Sequence, residues 1–320
     1  MDAGHPQLFG PAALGPVRLR NRIIKAATFE GMSRGGVVSD ALVDFHQVFA
    51  AGGVGLTTLA YGAVSPDRRG APHEIVLGPA ARPGLARLAD ALHAQGAAIS
   101  AQIGHAGPVG QRRITGSRPL AASSGFSPLG TRYHVMAATD IARVTGDFAA
   151  AARVVAEPGF DAVELHMGHH YLLNSFLSPK FNRRTDGWGG SVANRARFPR
   201  AVAQAVRAAV GGRLAVTAKF EMADGVPGGL RSSRRLCPGR SGRPSGWPAS
   251  ACCATTRSRR RIGGQWRASF APRSRPRQTG PASGCWARCS PPPGTRPGCG
   301  SRPSPPRAGR TGGCLWRCSA

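Results

Sequence analysis

A dense group of proton-handling side chains follows a short apolar run near the middle of the chain. The stretch Val163–Phe181 reads VELHMGHHYLLNSFLSPKF and places three histidines and a tyrosine within six positions. Imidazole and phenol groups donate, accept and transfer protons, and imidazole also binds metals. The residues Val163–Leu165 have the apolar character of a buried strand, and chemistry in α/β proteins gathers at the carboxyl ends of such strands. We therefore expect a functional site in the loop that begins at His166.

Two simpler interpretations of this histidine cluster stay open. The three histidines have an i, i+3, i+4 spacing that could bind zinc or iron. No cysteine lies nearby, however, and we expect Glu164 to point away from His166 along the strand, so we predict no metal site. The histidines could also be structural side chains whose ring nitrogens are satisfied by the neighbouring backbone.

Alternating apolar runs and helical patterns surround this loop. Runs typical of buried strands occur at 22–27, 54–59, 97–103, 162–165 and 214–220. Helical spacing is clear at Leu85, Leu88, Ala89 and Leu92, and Gly96 follows as a candidate C-terminal cap. The same spacing occurs at Phe198, Val202, Val206 and Ala209, and Ser191 or Asn194 could cap the start of that helix. Ranges 40–51 and 147–156 are further predicted helices. Strand–helix alternation of this kind predicts a parallel sheet covered by helices.

Two architectures fit that alternation, a doubly wound sheet and a (β/α)8 TIM barrel. A doubly wound nucleotide-binding sheet would need a glycine-rich turn after its first strand, and none follows 22–27. We therefore predict a TIM barrel, with a small hairpin at 14–19 closing its bottom. Only five strands can be predicted where eight are needed, so the barrel is expected to be truncated after about five βα units.

The composition changes abruptly near Leu230. Residues 1–230 contain all 15 acidic residues and 24 of the 43 basic ones, whereas the last 90 residues contain 19 arginines, all eight cysteines and four of the five tryptophans. Most of the net charge of +28 therefore belongs to this tail and does not describe the surface of one folded domain. We predict a partial barrel at 1–230 and a basic low-complexity tail at 231–320.

Three interpretations of the tail are open. Its arginines could neutralise nucleic-acid phosphates, which would make the chain a non-catalytic barrel remnant with a nucleic-acid-binding arm. The pairs Cys285/Cys289 and Cys314/Cys318 could bind zinc, although they lack C-x2-C spacing. Arg, Pro, Gly, Ala, Ser, Cys and Trp are also the residues that GC-rich DNA yields out of frame, and we interpret the tail as frameshifted. A segment so poor in aliphatic residues is expected to be disordered.

The sequence shows neither a secretory signal nor an apolar run long enough to span a membrane. The expected location is the cytoplasm, with a small-molecule substrate as partner and no prediction of oligomeric state.

Four segments together carry a resemblance to a known family. LFGPAALGPVRLRNRIIKAAT, SAQIGHAG, VELHMGHHYLLNSFLSPKFNRRTDGWGGSVANRARF and VTAKFEMADG follow one another between about Leu8 and Leu230. In this order and spacing they resemble the Old Yellow Enzyme family of FMN-dependent NAD(P)H oxidoreductases. The resemblance implies a TIM barrel, bound FMN, and NADH or NADPH as the reductant.

The resemblance also implies a set of flavin contacts. Gln102 is similar to the amide that pairs with the polar edge of the isoalloxazine ring, since an amide offers both a donor and an acceptor. Ala26, Ala27, Thr28 and Gly62 resemble the segments that approach the flavin through backbone and hydroxyl groups. Lys219 is similar to the cation beside the ring edge where negative charge develops on reduction.

The same resemblance implies that the histidine–tyrosine cluster at 166–171 binds the substrate and protonates it. His166 and His169 are similar to the pair that hydrogen-bonds the carbonyl or nitro oxygen of the substrate, and Tyr171 to the tyrosine that delivers a proton. The implied activity is the reduction of activated alkenes such as α,β-unsaturated carbonyl compounds.

Three departures from the family pattern bear on that activity. His170 stands where a small residue or asparagine is usual, and Phe29 where a polar or sulfur-bearing side chain is common. Nothing in 231–320 resembles the glycine-rich turns that hold the FMN phosphate in a barrel of this kind. The chain is thus expected to have the ancestry of an ene-reductase, with its own activity open.

Overall fold

The computed structural model describes residues 6–231 and the backbone of Cys253–Thr255. Its strands are β1 Ala12–Leu14, β2 Val17–Leu19, β3 Ile24–Lys25, β4 Leu56–Ala63, β5 Ile75–Val76, β6 Ala98–Gly104, β7 Leu120–Ala121, β8 His134–Val135, β9 Ala162–Met167, β10 Ala215–Glu221 and β11 Cys253–Thr255. Its α-helices are α1 Pro6–Phe9, α2 Asp40–Ala51, α3 Arg82–His93, α4 Arg112–Thr115, α5 Ala138–Ala156, α6 Leu172–Leu177, α7 Val192–Arg195 and α8 Arg197–Val210.

The central sheet is parallel and its strands lie side by side in chain order. The order is β3-β4-β6-β9-β10-β11, with β5 also pairing with β4. A doubly wound sheet reverses its strand order at a switch point, and no reversal occurs among these strands. The barrel prediction is therefore confirmed, and the five predicted strands are β3, β4, β6, β9 and β10.

A short sixth strand extends this sheet into the region that the sequence assigns to the tail. The backbone of β11 pairs in parallel with β10, with Lys219 opposite Cys253. These three residues thus differ from the expectation of disorder. Residues 232–252 and 256–320 lie outside the described part of the chain. They include the cysteine pairs considered as a zinc site, the arginine-rich arm and the region in which no phosphate-binding turn could be recognised.

The helices form where apolar spacing gives them a face to bury. On α3, the four residues predicted to share a face are fully buried, although the helix is capped at Ala94 rather than Gly96. The helix predicted at 147–156 starts nine residues earlier, at Ala138. Ile141 and Val144 are buried against the core, and this packing outweighs the cost of Gly146 inside the helix.

Two helices replace the single one predicted after Ser191. The Ser191 hydroxyl accepts from Asn194 N and caps α7, whereas α8 begins after Ala196 without a side-chain cap. On α8, Phe198, Val202 and Val206 are fully buried as predicted, with Val210 rather than Ala209 continuing the stripe.

The predicted hairpin closes the bottom of the sheet. β1 and β2 are antiparallel, with Ala12 opposite Leu19. Leu19 forms a buried cluster with Leu56, Ala162 and Ala215, which lie at the amino ends of β4, β9 and β10. The opposite, carboxyl end of the sheet is thereby left for the residues discussed below.

The sheet is strongly curved. β3 and β10 are separated by three strands, and in a flat sheet they would lie roughly 19 Å apart at about 4.8 Å per strand. Lys219 Nζ on β10 nevertheless donates to the carbonyl oxygen of Ala27, just beyond β3, at 2.8 Å. Barrel-like curvature thus brings the two strands close enough for one lysine side chain to span the distance between them.

No α-helix among residues 6–231 is long and apolar enough to cross a membrane.

Candidate active site

His166 occupies the carboxyl end of β9 as a buried, neutral imidazole. Its side chain shares the inward face of the sheet with Glu164, while Leu165 and Met167 belong to the main hydrophobic core. The amide of Gly168 donates to His166 Nδ1 at 3.2 Å, which leaves Nε2 to carry the proton. Burial, together with the nearby His169 and Lys219, lowers the pKa of His166 to about 3. A neutral hydrogen-bond donor therefore stands at this strand end.

A tight turn places His169 beside His166. His169 and His170 both have positive φ angles, 58° and 60°, a region that non-glycine residues enter rarely and that is often found at functional sites. The turn brings the His169 ring edge-on to His166, with centroids 5.1 Å apart. His169 Nε2 lies 3.8 Å from Glu221 Oε1 at the end of β10. The two predicted substrate-binding histidines are thus adjacent in space.

Tyr171 completes the group by stacking on His166. Their ring centroids are 4.3 Å apart and the planes differ by 21°. Tyr171 immediately precedes α6, and its amide donates to Gly168 O at 3.1 Å, which closes the turn. Burial, with a contribution from Glu74, raises the pKa of Tyr171 to about 12, so the phenol keeps its proton at neutral pH.

Tyr61 on β4 is a fourth member of this cluster that the sequence motifs did not single out. Its ring lies edge-on to Tyr171 at 5.4 Å and to His166 at 6.0 Å. Tyr61 is only 4% exposed, and burial first, then Glu74 and Tyr171, raise its pKa. A polar tyrosine at the carboxyl end of the apolar run 54–59 is the signal that could have identified it.

Gln102 is held by an unpredicted partner. Its Nε2 donates to Glu164 Oε1 at 2.7 Å, and both side chains are buried. Gln102 and Glu164 are register partners on β6 and β9, so they meet across adjacent strands. Burial raises the pKa of Glu164, an effect opposed by Gln102 and Lys219. One amide hydrogen is therefore committed to Glu164, and this contact sets the orientation of the amide.

The expectation that Glu164 points away from His166 is wrong. Side chains alternate along a strand with a period of two, so residues 164 and 166 share a face. Both interact electrostatically with Lys219, the register partner of His166 on β10. Even so, no three His, Cys, Asp or Glu side chains within residues 6–231 converge as metal ligands.

The predicted flavin loop lies opposite these residues. Ala27 is buried and its carbonyl accepts from Lys219, while Ala26 and Thr28 are exposed. The Thr28 hydroxyl donates weakly to Ala26 O at 3.4 Å. The loop residues and Lys219, which are 192 positions apart in sequence, are thus in direct contact.

Gly62 has a packing reason for lacking a side chain. A Cβ built on Gly62 would lie 2.5 Å from Leu77 Cδ1, far inside van der Waals contact. The missing side chain of Gly62 therefore makes room for Leu77, and a role in flavin binding stays a prediction.

The remaining marked residues have structural contacts. His105 is buried, its Nδ1 accepts from Gly107 N at 2.9 Å, and burial lowers its pKa, so it caps its loop. His170 packs its ring against Phe181 at 4.6 Å. Arg184 pairs with Asp186 and also donates to the backbone carbonyls of Ala122 and Met136, so it connects its own loop to two other segments.

The interior groups fit the ring portion of FMN. An amide from Gln102 on β6 and an ammonium group from Lys219 on β10 lie on the two strands that flank β9, and the Ala27 carbonyl just beyond β3 accepts from Lys219. A planar heterocycle with alternating carbonyl and N–H groups, which gains negative charge on reduction, is complementary to such a set. Gln102, Lys219 and the Ala26–Thr28 loop are therefore the groups that would hold it.

Comparison with known proteins agrees with this geometry. The model of the NADH:flavin oxidoreductase / NADH oxidase family matches residues 7–234. A 4,4'-dithiodibutanoate disulfide reductase from Rhodococcus erythropolis is 52% identical over 227 residues, 70% of this chain and 56% of the relative. A multifunctional alkene reductase/demethylase OYE from Caballeronia cordobensis is 33% identical over 243 residues, 73% of this chain and 36% of the relative.

A solved structure shows the same relationship in three dimensions. The old yellow enzyme homologue from Zymomonas mobilis superposes with a TM-score of 0.64 at 26% identity, over 71% of this chain and 66% of that one. The match thus spans only part of each of these relatives.

Proposed function

The chain belongs to the NADH:flavin oxidoreductase / NADH oxidase family, and on that basis we propose that it acts as an FMN-dependent NAD(P)H oxidoreductase on a small, electron-poor acceptor. FMN and a nicotinamide reductant are the cofactors of this family. When bound, FMN would supply hydride transfer from the nicotinamide to the acceptor, and Gln102, Lys219 and the Ala26–Thr28 loop would hold its ring. The residues of this chain bind the acceptor and manage the charge and proton that accompany the hydride.

The observation that carries this proposal is the stack of His166 and Tyr171 with His169 at its edge. His166 is neutral and its Nε2–H is available as a donor. Reduction of an α,β-unsaturated carbonyl compound builds negative charge on the carbonyl oxygen, and the two imidazoles stabilise that charge by hydrogen bonding. Tyr171, which keeps its proton at neutral pH, supplies it to the α-carbon as general acid.

An organic disulfide is the second candidate acceptor. It is favoured by the 52% identity to a relative named as a 4,4'-dithiodibutanoate disulfide reductase. Hydride transfer to one sulfur breaks the S–S bond and releases the other sulfur as a thiolate. The same imidazoles stabilise that thiolate, and proton delivery to carbon is not required.

The visible absorption spectrum under anaerobic conditions tests the general proposal. The purified chain, soaked with FMN and desalted, should show a protein-bound flavin spectrum that bleaches on addition of NADPH or NADH. Reoxidation by cyclohexenone or by 4,4'-dithiodibutanoate then identifies the acceptor class. A chain that retains no flavin, or a flavin that bleaches but is reoxidised by neither compound, would contradict the proposal.

A further inference from the structure

Glu74 is a buried carboxyl group that the proposed chemistry does not use. Its side chain lies directly before β5 and the residue is only 2% exposed. The amide of Gly70 donates to Glu74 Oε2 at 2.7 Å, and the nearby Tyr61 is one of the groups that lower the pKa of the same carboxyl group. Carboxyl groups are almost never fully buried without a specific reason.

Glu74 and the proposed proton donor border one small space. A Cβ added to Gly70 would lie 3.2 Å from Glu74 Oε1 and 3.6 Å from Tyr171 Oη. Both oxygens therefore face the spot left by the missing side chain of Gly70. Tyr61 lies beside both groups, because its ring contacts Tyr171 edge-on at 5.4 Å and its pKa is raised by burial and then by Glu74 and Tyr171.

We propose that the Glu74 carboxyl group is the proton source that restores the hydroxyl of Tyr171 after each turnover. This inference rests on the proposed function, in which the O–H bond of Tyr171 breaks and its proton passes to the reduced substrate. The Tyr171 phenolate then takes the proton of Glu74 across the space beside Gly70, which leaves Glu74 as a carboxylate. Glu74 regains a proton from solvent, so no electrons move in this step.

The electrostatics of Glu74 match this task. Burial raises its pKa to about 7, opposed by hydrogen bonds from the amides of Gly70 and Ala71, by Arg69 and by Tyr61. These groups, together with Tyr171, are the polar and charged neighbours that set its titration. A carboxyl group that is partly protonated at neutral pH can both give and regain a proton within one catalytic cycle. An ordinary carboxylate could not serve as the source.

The first experiment needs neither flavin nor substrate. Glu74 is one of five glutamates in the chain, so ¹³C labelling of the glutamate carboxyl carbons and NMR titration can follow it, with Glu74→Gln assigning the signal. We expect a midpoint near neutrality that rises further in Tyr61→Phe, because the Tyr61 hydroxyl stabilises the carboxylate. Tyr133→Phe, which removes a tyrosine elsewhere, should leave the midpoint unchanged. A midpoint in the ordinary range of carboxyl groups would overturn the proposal whether or not the chain binds FMN.

The second experiment uses the FMN-loaded chain. Glu74→Gln and Gly70→Ala should slow acceptor reduction in multiple turnovers by about tenfold or more, while flavin reduction by NADPH keeps its rate. The wild-type rate should decline as the pH rises through the Glu74 midpoint, and this decline should vanish in Glu74→Gln. A pH profile that is the same in both chains would also overturn the proposal.

Discussion

The Nζ atom of Lys219 lies 2.8 Å from the carbonyl oxygen of Ala27, and this contact joins the ends of two strands that three others separate. Lys219 therefore takes part in holding the curved sheet in shape and also presents its charge to the interior. The charge of Lys219 acts to lower the pKa of both His166 and Glu164 on the adjacent strand. Any substitution at 219 is thus expected to affect both the loop after β3 and the neighbouring side chains.

Lys219→Met should slow reduction of bound flavin by NADPH by about 10²-fold, because it removes the cation that offsets charge developing on the ring. Stopped-flow bleaching of the flavin measures this rate. Lys180→Met, which changes an exposed lysine outside the site, serves as the control. Equal rates in all three chains would show that Lys219 is only structural.

Tyr171→Phe should slow alkene reduction by about 10²-fold or more while leaving flavin reduction by NADPH largely intact. Phenylalanine keeps the ring that stacks on His166 and removes only the hydroxyl group. The two half-reactions are measured separately under anaerobic conditions. Equal loss in both half-reactions would exclude Tyr171 as proton donor, and undiminished disulfide reduction in the same variant would favour the disulfide as acceptor.

Glu164→Leu should weaken FMN binding by about tenfold, since the buried Gln102 amide would lose its partner at a cost of about 1–3 kcal/mol. Glu164→Gln offers a carbonyl oxygen in the same place and should bind FMN nearly as well as wild type. Quenching of flavin fluorescence on titration with protein gives both affinities. The idea fails if the leucine and glutamine variants bind alike.

Buried neutral histidines should make the protein sensitive to acid. The folded-state pKa of His166 is about 3, below the unfolded value of about 6.5, so between those values the unfolded chain binds more protons. The free energy of unfolding should therefore fall as the pH drops through this window, with His105 acting in the same direction. Urea unfolding at about pH 7.5 and pH 5 measures the change.

His166→Asn should reduce this acid sensitivity, because asparagine does not bind a proton in this pH range. Unaltered pH dependence in His166→Asn would mean that His166 is already protonated in the folded protein.

Gly62→Ala should destabilise the chain by about 1–3 kcal/mol even without FMN, because the new methyl group would overlap Leu77. Leu77→Ala in the same chain should make room for the new methyl group, so the double variant should lose less stability than the sum of the two single losses. Urea unfolding of the two single variants and the double variant supplies the comparison. Full stability of Gly62→Ala together with poor FMN binding would instead assign Gly62 to the flavin site.

The amino-acid pattern alone is enough to predict the parallel βα architecture, the bottom hairpin and the position of the His166–Tyr171 loop at the carboxyl end of a strand. These features depend on local periodicity and on residues that are close in sequence, and both are visible in one dimension. The five strands and the buried stripe of α3 follow directly from apolar spacing. The motif order likewise predicts the family, which the comparisons confirm.

Contacts between distant segments were decided only by the tertiary structure. Curvature of the sheet sets Lys219 against Ala27, and strand register sets Gln102 against Glu164, because register depends on packing of the whole sheet. Tyr61 could not be placed beside Tyr171 without the path of the intervening loop. The helix α5 also begins nine residues earlier than predicted, because packing of its amino-terminal half against the core outweighs the local cost of Gly146.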